Sequence, residues 1–408
     1  MRLVGFALTG LLFAMPAFAA NLDGDWNGAL DTPRGQHLRM LFHFRQDGGV
    51  LKTRFTSVDQ AGASFDVDGK LDGNHLTVVL PFGATYDAVL AADGKTIAGT
   101  FTQRVAMPLT LTPGGVTGTA LHPPEPGDLT IQTPTGTLAG TILRRGPIGA
   151  VIITGSGSAN RDGNSTSNGG RGTYRAIAEG LAAHDITTLR FDKRGVGESA
   201  AAMSREDDLR FSIMADDVKA WAGELRKRIG ARCVWLIGHS EGGLIALAAA
   251  QANPGICGLV LLASPGRPLA VLLHEQLDRQ LPDDQKPAAF AAIDATAAGK
   301  PLGDVPPNLM ALFRPSIQPY MRSEFALDPA AMAATLKIPT LILQGDADKN
   351  VSVADAKALA RARPDATLKI EAGVNHSQRI AKDDPGSGPF PLAPGLVDTI
   401  AQFVKAHP

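Results

Sequence analysis

The segment Gly238-His239-Ser240-Glu241-Gly242 has the pattern G-x-S-x-G and stands between two stretches of different character. The apolar run "CVWLIG" before it is typical of a buried strand, and "GLIALAAAQ" after it is rich in helix formers. A serine at such a strand-to-helix turn is lifted above the edge of the sheet. The glycines avoid collisions with the neighbouring strand and helix. Ser240 is therefore the predicted nucleophile, with a helix dipole favouring negative charge beside it.

A serine hydroxyl needs a base, which in this arrangement follows the serine and the acid along the chain. Three histidines follow Ser240: His274, His376 and His407. His274 falls in an irregular helical segment and His407 adjoins the C-terminus. His376 follows the last expected strand, in the loop "EAGVNHSQR", where a base can reach a serine at the same sheet edge. His376 is therefore the predicted base.

The acid is expected after the penultimate strand, where "LILQGDADKNV" offers Asp346 and Asp348. Asp348 fills the spacing G-x-x-D-x-x-V from Gly345 to Val351, which carries its carboxylate past the end of the strand. We predict Asp348 as the acid that orients the imidazole, and Asp346 is left as the alternative.

An oxyanion hole requires two backbone N–H groups. One is expected from Glu241, whose side chain is predicted to face away from the site. The other is expected from Ser156 in the loop "TGSGSANRDGN", where Gly155 and Gly157 allow close approach of the backbone. The loop "RFDKRGVGES" that follows the next strand is expected to support this oxyanion loop structurally.

Cofactors and metals are not expected. "GSGSAN" and "GVGESA" both lack the third glycine of a dinucleotide fingerprint, and no phosphate-binding G-x-x-x-x-G-K-[ST] is present. No histidine or cysteine pair has metal-ligand spacing. The 39 basic and 40 acidic side chains nearly cancel, to a net charge of −1, which argues against a nucleic-acid partner. A small molecule is the expected partner, and the oligomeric state is left open.

Residues 129–408 alternate apolar strands with amphipathic helices, which predicts an α/β fold with a doubly wound, mostly parallel sheet. An opening hairpin is expected at its start. Residues 265–335 interrupt the alternation and are Pro-rich and helical in pattern, so they are predicted to form an inserted cap.

Residues 20–115 have turn pairs such as Asp-Gly between short alternating runs, which predict a small antiparallel barrel or sandwich. Residues 116–128 are rich in Pro and Gly and are predicted to be a linker. Residues 1–19 combine Arg2, a short apolar run and small residues at "AFA", as in a cleaved signal peptide. Periplasmic or secreted localisation is expected, without stable membrane insertion. Cys233 and Cys257 could form a disulfide or be two buried thiols.

Over residues 129–408 the chain resembles α/β-hydrolases, and "GSG…RDGN", "FDKRGVGES" and "GHSEGG" resemble bacterial serine esterases of the thermophilic acetyl-esterase type. Some of these are exported with an N-terminal β-domain. The resemblance implies hydrolysis of carboxylic esters, usually with short acyl chains, without a cofactor. Many relatives have His-Gly where this chain has Thr154-Gly155, which puts one loop-ordering hydrogen bond in question.

Other functions on the same fold are a serine peptidase, an acyltransferase and a ligand-binding protein that has lost catalysis. A peptidase of the prolyl-oligopeptidase kind carries a β-propeller, for which about 95 residues are too few. The complete set of Ser240, Asp348 and His376 favours an enzyme over a binding protein. An acyltransferase is distinguished only by an assay with an acceptor.

Overall fold

The structure is a computed structural model that describes residues 21–32, 37–47, 50–58, 63–80, 83–103, 105–115, 122, 124–165, 171–203, 205–306, 309–386 and 388–407. The expected signal peptide at 1–19 lies outside these residues. Most of the expected linker, at 116–121 and 123, also lies outside them.

The N-terminal part of the chain forms a closed barrel of eight antiparallel strands, each paired with the next along the chain. The last strand closes onto the first, with Trp26 opposite Pro113. This confirms the predicted all-β unit and selects the barrel over the sandwich. The strands are β1 (Gly24–Asp31), β2 (His37–Asp47), β3 (Val50–Ser57), β4 (Ala63–Asp72), β5 (His75–Leu80), β6 (Ala84–Leu90), β7 (Ile97–Gln103) and β8 (Val105–Pro113).

The barrel interior is filled by side chains. Along β6, buried and more accessible residues alternate, as expected for a strand with one face inward. The rings of Phe42, Phe55 and Tyr86 meet inside, with centroids 5.0 and 5.4 Å from that of Phe42. An eight-stranded barrel is just wide enough for such a packed core.

The second sheet has eight strands in the order β16-β15-β14-β13-β11-β12-β10-β9. The hairpin of β9 and β10 is antiparallel, and so is the pairing of β10 with β12, whereas all other pairs are parallel. The strands are β9 (Asp128–Thr133), β10 (Gly136–Leu143), β11 (Ile148–Ile153), β12 (Ile186–Phe191), β13 (Val234–His239), β14 (Ile256–Leu262), β15 (Thr340–Gly345) and β16 (Thr367–Glu371).

The strand order reverses at β11, because β12 lies on one side of it and β13 on the other. In open α/β sheets, ligands bind at the carboxyl ends of the strands at such a reversal. The loops after β11 and β13 are those that carry Ser156 and Ser240, so the topology brings both to one crevice.

Helices cover the sheet and form the predicted insertion between β14 and β15. They are α1 (Thr173–Ala182), α2 (Phe211–Ile229), α3 (Glu241–Ala250), α4 (Leu269–Gln280), α5 (Lys286–Ala297), α6 (Met310–Phe313), α7 (Gln318–Phe325), α8 (Pro329–Thr335), α9 (Val353–Ala362) and α10 (Leu396–Ala406). Among the described residues, no helix has both the length and the apolar character needed to cross a bilayer.

The inserted helices α4 to α7 have a small apolar core of their own, which includes Leu277, Ile293 and Phe313. A buried ion pair ties this insertion to the loop before α2: Arg314 Nε donates to Glu206 Oε2 at 2.7 Å. Breaking one side of such a pair leaves an uncompensated buried charge, so the contact holds the insertion in place.

The two cysteines are joined by a disulfide. Cys233 directly precedes β13, Cys257 lies in β14, and their sulfur atoms are bonded. The structure thus answers the question that the sequence left open. The bridge closes a segment with a sequence separation of 24 residues that includes Ser240 and α3.

The described residues of the expected linker pack against the second sheet. His122 is buried and bonds Asp162 Oδ2 through Nδ1 at 2.7 Å and Asp128 Oδ1 through Nε2 at 3.0 Å. The hydrogen bond to Asp162 raises the pKa of His122. Arg175 donates to Glu125 at 2.8 Å. His122, Glu125 and Asp128 therefore join an ion-pair network with residues of the larger sheet, of the loop after β11 and of α1, although the division of the chain into domains stays a prediction.

Candidate active site

Ser240 occupies the turn between β13 and α3. Its backbone has φ 55° and ψ −126°, a combination that residues other than glycine rarely adopt. The amide of Ser240 donates to the carbonyl of Leu262 at 2.9 Å, which holds the turn against β14. A strained backbone of this kind persists where its surroundings overdetermine it, and such positions cluster at functional sites.

The glycines around Ser240 are required by close packing. A Cβ atom on Gly238 would lie 2.3 Å from the carbonyl oxygen of Gly242. A Cβ atom on Gly242 would lie 2.4 Å from the carbonyl oxygen of Ile153, at the end of β11. Both distances are too short for any side chain, so the motif allows α3 to pack directly on the sheet.

Asp348 and His376 form a hydrogen-bonded pair. His376 Nδ1 lies 2.8 Å from Asp348 Oδ2, and the Asp348 side chain is 0% exposed. The amides of Asn350 and Val351 donate to the other carboxylate oxygen at 2.7 and 3.0 Å. Burial alone would raise the pKa of Asp348, but the bonds from His376 and these amides lower it. The carboxylate is thus ionised and makes His376 Nδ1 a donor.

The alternative residues lie elsewhere. Asp346 is exposed and accepts a hydrogen bond from the amide of Gly373 at 2.7 Å. His274, in α4, bonds Asp294 at 2.8 Å, and His407 bonds the carbonyl of Phe403 at the chain end. Of the sequence-predicted acids, the structure therefore pairs Asp348 with His376.

A chain of hydrogen bonds through His239 links the nucleophile turn to the base loop. His239 Nε2 donates to the carbonyl of His376 at 2.7 Å, and the two rings are 4.8 Å apart. Burial lowers the pKa of His239 to about 3, so the ring is neutral and its Nδ1 is an acceptor. Tyr174 donates to that atom at 2.9 Å and accepts from the Gly155 amide at 2.9 Å.

The loop after β11 approaches Ser240 closely at Gly155. A Cβ atom on Gly155 would lie 3.1 Å from the Cβ of Ser240, so Ser156 follows directly at the nucleophile. Thr154, where relatives of this type often have histidine, has a buried hydroxyl that no described residue meets with a hydrogen bond. The loop is held instead by Tyr174, which bonds the Gly155 amide, and by Lys193 Nζ, which donates to the Gly155 carbonyl at 2.6 Å.

The Glu241 side chain, which the sequence predicted to face away from the site, is buried. Its carboxylate accepts hydrogen bonds from Lys193 Nζ at 2.9 Å and from the Tyr320 hydroxyl at 2.9 Å. Burial alone would raise the pKa of Glu241, but the charge and hydrogen bond of Lys193, together with the hydrogen bonds from Tyr320 and Glu324, lower it. Since Tyr320 belongs to α7, this carboxylate also connects the nucleophile turn to the inserted helices.

Glu324, one turn after Tyr320 on α7, is a second buried carboxyl group at this point. Burial raises the pKa of Glu324 well above its ordinary value of 4.5, and the charge of Glu241 adds to the effect. A hydrogen bond with Glu241 also favours its protonated form. The groups that face it are therefore the Glu241 carboxylate, the Lys193 ammonium and the Tyr320 hydroxyl. Of the two carboxyl groups, Glu324 carries the proton.

This proton should make stability depend on pH. Between pH 4.5 and the raised pKa, the folded chain binds one proton more than the unfolded chain, so the free energy of unfolding falls as pH rises. Glu324→Gln keeps a neutral hydrogen-bond donor and does not titrate. We expect it to gain at least about 1 kcal/mol relative to the wild type between pH 5 and pH 8. Urea unfolding at both pH values measures the difference.

Glu179→Gln, on the exposed side of α1, is the matched control, and its stability should follow that of the wild type at both pH values. If Glu324→Gln and the wild type keep the same difference in stability from pH 5 to pH 8, Glu324 is ionised in the folded chain.

Arg161 and Asp162 have structural roles. Arg161 is 0% exposed and donates to Asp192 at 2.9 Å, and Asp162 bonds His122. His122, Glu125 and Asp128 offer ligand atoms within 4.8 Å of one another, as a metal site would. Their charges are already balanced by arginines from β12, α1 and the oxyanion loop, so an ion-pair network accounts for the cluster.

Sequence reasoning expected support from the loop that contains Lys193 without singling out that residue, and it missed several other residues that hold the site together, namely His239, Tyr174, Tyr320 and Glu324. The scarcity of tyrosine was one available signal for two of these residues. The chain has only three tyrosines, and two of them bond residues that flank Ser240. Nothing in the local sequence of the two tyrosines marks these contacts, because His239 lies 65 residues from Tyr174 and Glu241 lies 79 residues from Tyr320 along the chain.

Comparison with known proteins gives several similarities. A family model described as serine aminopeptidase, S33, matches residues 168–279. The chain is 28% identical over 213 residues to esterase EstD of Thermotoga maritima, covering 52% of this chain and 49% of that protein. It is 30% identical over 187 residues to 2-succinyl-6-hydroxy-2,4-cyclohexadiene-1-carboxylate synthase of Escherichia fergusonii, covering 44% of this chain and 66% of that protein.

Among solved structures, an esterase of Pyrococcus furiosus superimposes with a TM-score of 0.48 at 15% identity, over 69% of this chain and 90% of its own. The chain spans about half the length of the Thermotoga relative and 66% of the length of the Escherichia relative. The named activities differ among these proteins, so the choice of an activity depends on the site.

Proposed function

We propose, from the premise that this chain is an α/β-hydrolase, that it hydrolyses carboxylic esters with Ser240 as nucleophile, His376 as base and Asp348 as orienting acid. The observation that carries the proposal is the 2.8 Å hydrogen bond between His376 and the buried carboxylate of Asp348, and the backbone carbonyl of His376 is also bonded to His239, the residue before Ser240. The chain order Ser240, Asp348, His376 and the Asp348–His376 hydrogen bond agree with what a serine hydrolase triad requires, and they support the proposal.

The reaction begins with transfer of the Ser240 hydroxyl proton to His376 Nε2 while Oγ attacks the ester carbon. His376 Nε2 is free to accept because Asp348 holds the proton on Nδ1. The tetrahedral intermediate then expels the alcohol, which takes the proton back from His376. Water attacks the resulting acyl-enzyme with the same base, and the acid leaves.

The oxyanion of each tetrahedral intermediate is assigned to the amides of Ser156 and Glu241. The approach of Gly155 to Ser240 supports the first assignment, and the position of Glu241 at the N-terminus of α3 supports the second. Backbone donors that are fixed before the reaction stabilise developing charge without reorganisation.

Short acyl chains and export are further parts of the proposal. The preference for short chains comes from the resemblance to acetyl esterases, and the likeness to a Thermotoga esterase favours ester substrates. The disulfide between Cys233 and Cys257 favours an oxidising compartment such as the periplasm, because structural disulfides persist there.

The test is hydrolysis of p-nitrophenyl esters from acetate to palmitate by the purified protein, beside labelling by a fluorophosphonate probe. We expect labelling and the highest kcat/KM on acetate or butyrate. Amino-acid p-nitroanilides test the peptidase alternative that the family description raises, and an added alcohol acceptor tests acyl transfer. Cleavage of the anilides alone, or no labelling of folded protein, would remove the esterase proposal.

A further inference from the structure

We infer that Lys193 is a positioning residue for the oxyanion hole, which it orients by binding the two backbone segments that carry the predicted donors. This inference rests on the proposed function, since it requires that the Ser156 and Glu241 amides bind an oxyanion. The sequence predicted only that the loop containing Lys193 supports the oxyanion loop structurally, without singling out Lys193 or an effect on the oxyanion donors.

Lys193 lies in the loop after β12, and its residue is 6% exposed. Its ammonium donates to the carbonyl oxygen of Gly155 at 2.6 Å and to the carboxylate of Glu241 at 2.9 Å. Gly155 belongs to the loop after β11, and Glu241 follows β13. One buried cation therefore joins the two loops that meet at Ser240.

The contact with Gly155 acts on the Ser156 amide through the peptide bond. The Gly155 carbonyl and the Ser156 N–H belong to one peptide group, and the described chain contains no cis peptides. In a trans peptide the C=O and N–H point in opposite directions. Holding the carbonyl toward Lys193 therefore directs the N–H to the other side. The nearby positive charge also polarises the group and strengthens the N–H as a donor.

The contact with Glu241 removes an electrostatic conflict. The residue that supplies the second predicted donor also carries a carboxylate, and a bare negative charge there would oppose an oxyanion on the substrate. Lys193 and the Tyr320 hydroxyl neutralise and bind that carboxylate. Both contacts of Lys193 thus favour negative charge on the substrate oxygen in the transition state.

The experiment compares Lys193→Met with Lys219→Met as the control. Lys219 is an exposed lysine of α2, and it pairs with Asp216 rather than with a residue of the site. Each variant is assayed with p-nitrophenyl acetate and with its thiono analogue, in which sulfur replaces the carbonyl oxygen. Sulfur is a weak hydrogen-bond acceptor, so the thionoester gains little from the hole.

We expect Lys193→Met to lower kcat on the ester by about 10- to 100-fold, less than the loss of a whole donor, which costs about 10²- to 10³-fold. KM should change less than about threefold, since the contact matters mainly in the transition state. The ratio of kcat on the ester to kcat on the thionoester should fall by about the same factor as kcat on the ester. Lys193→Arg should retain part of the activity, and Lys219→Met all of it.

Lys193→Met leaves Glu241 as an unpaired buried carboxylate, so Lys193→Met/Glu241→Gln is a second variant without that charge. The inference is wrong if a folded variant keeps the wild-type kcat, or if kcat falls while the ester-to-thionoester preference stays unchanged. The second outcome would show that Lys193 forms only a structural ion pair. A wild-type protein that hydrolyses neither ester and is not labelled would instead contradict the proposed function.

Discussion

Ser240→Ala should lower kcat on p-nitrophenyl acetate by at least about 10⁴-fold and abolish fluorophosphonate labelling. The reason is that no acyl-enzyme can form without Oγ, whereas the oxyanion donors of the backbone remain. The fold should be unchanged, because the contacts that hold this turn come from the backbone of residue 240 and from the neighbouring glycines. The measurement is single-turnover kinetics with melting temperature as the fold check.

Ser212→Ala, at an exposed position of α2, is the matched control and should label and turn over like the wild type. Wild-type activity in Ser240→Ala would exclude Ser240 as the nucleophile. Loss of activity in both variants would point instead to damage caused by handling or purification.

Asp348→Asn should lower kcat by about 10³- to 10⁴-fold. The carboxylate now accepts the proton of His376 Nδ1 at 2.8 Å, which leaves Nε2 free to act as base. An asparagine amide can donate to Nδ1 instead, and the proton then sits on Nε2, where it blocks the transfer from Ser240. Since Asn is nearly the size of Asp, the amides of Asn350 and Val351 can still donate to its carbonyl oxygen.

The neighbouring aspartate provides the control for this result. Asp346 is exposed, and its side chain accepts a hydrogen bond from the amide of Gly373, an interaction that the carbonyl oxygen of Asn can replace. Asp346→Asn should therefore change kcat less than about threefold. A larger loss in Asp346→Asn than in Asp348→Asn would transfer the role of acid to Asp346.

Several features could be predicted because they depend on local patterns. Strand-to-helix alternation predicted the parallel sheet, and the turn pairs of the N-terminal part predicted an antiparallel unit. The G-x-S-x-G turn carried its own steric requirement, which the structure meets with oxygen atoms 2.3 and 2.4 Å from where the Cβ atoms of Gly238 and Gly242 would lie. These inferences required only neighbours in the chain.

The residues around the site illustrate the opposite case. Glu241 has good reasons to be exposed in the first turn of a helix, and the sequence predicted that it faces away. Its burial depends on Lys193, 48 residues earlier, and on Tyr320, 79 residues later. The cost of burying a carboxylate is offset only when both partners are present, so no local pattern could reveal it.

The sequence alone determined the strand and helix periodicities, the nucleophile turn and the two aspartates that could serve His376, because these follow from backbone geometry and spacing. Only the tertiary structure decided that the all-β unit closes as a barrel, that the cysteines are bonded and that Asp348 is the aspartate that meets His376. It also brought Lys193, Tyr174 and Tyr320 to the residues around Ser240. The physical reason is that buried polar groups require partners, and which partners can reach them is set by packing across the sheet rather than by the order of residues.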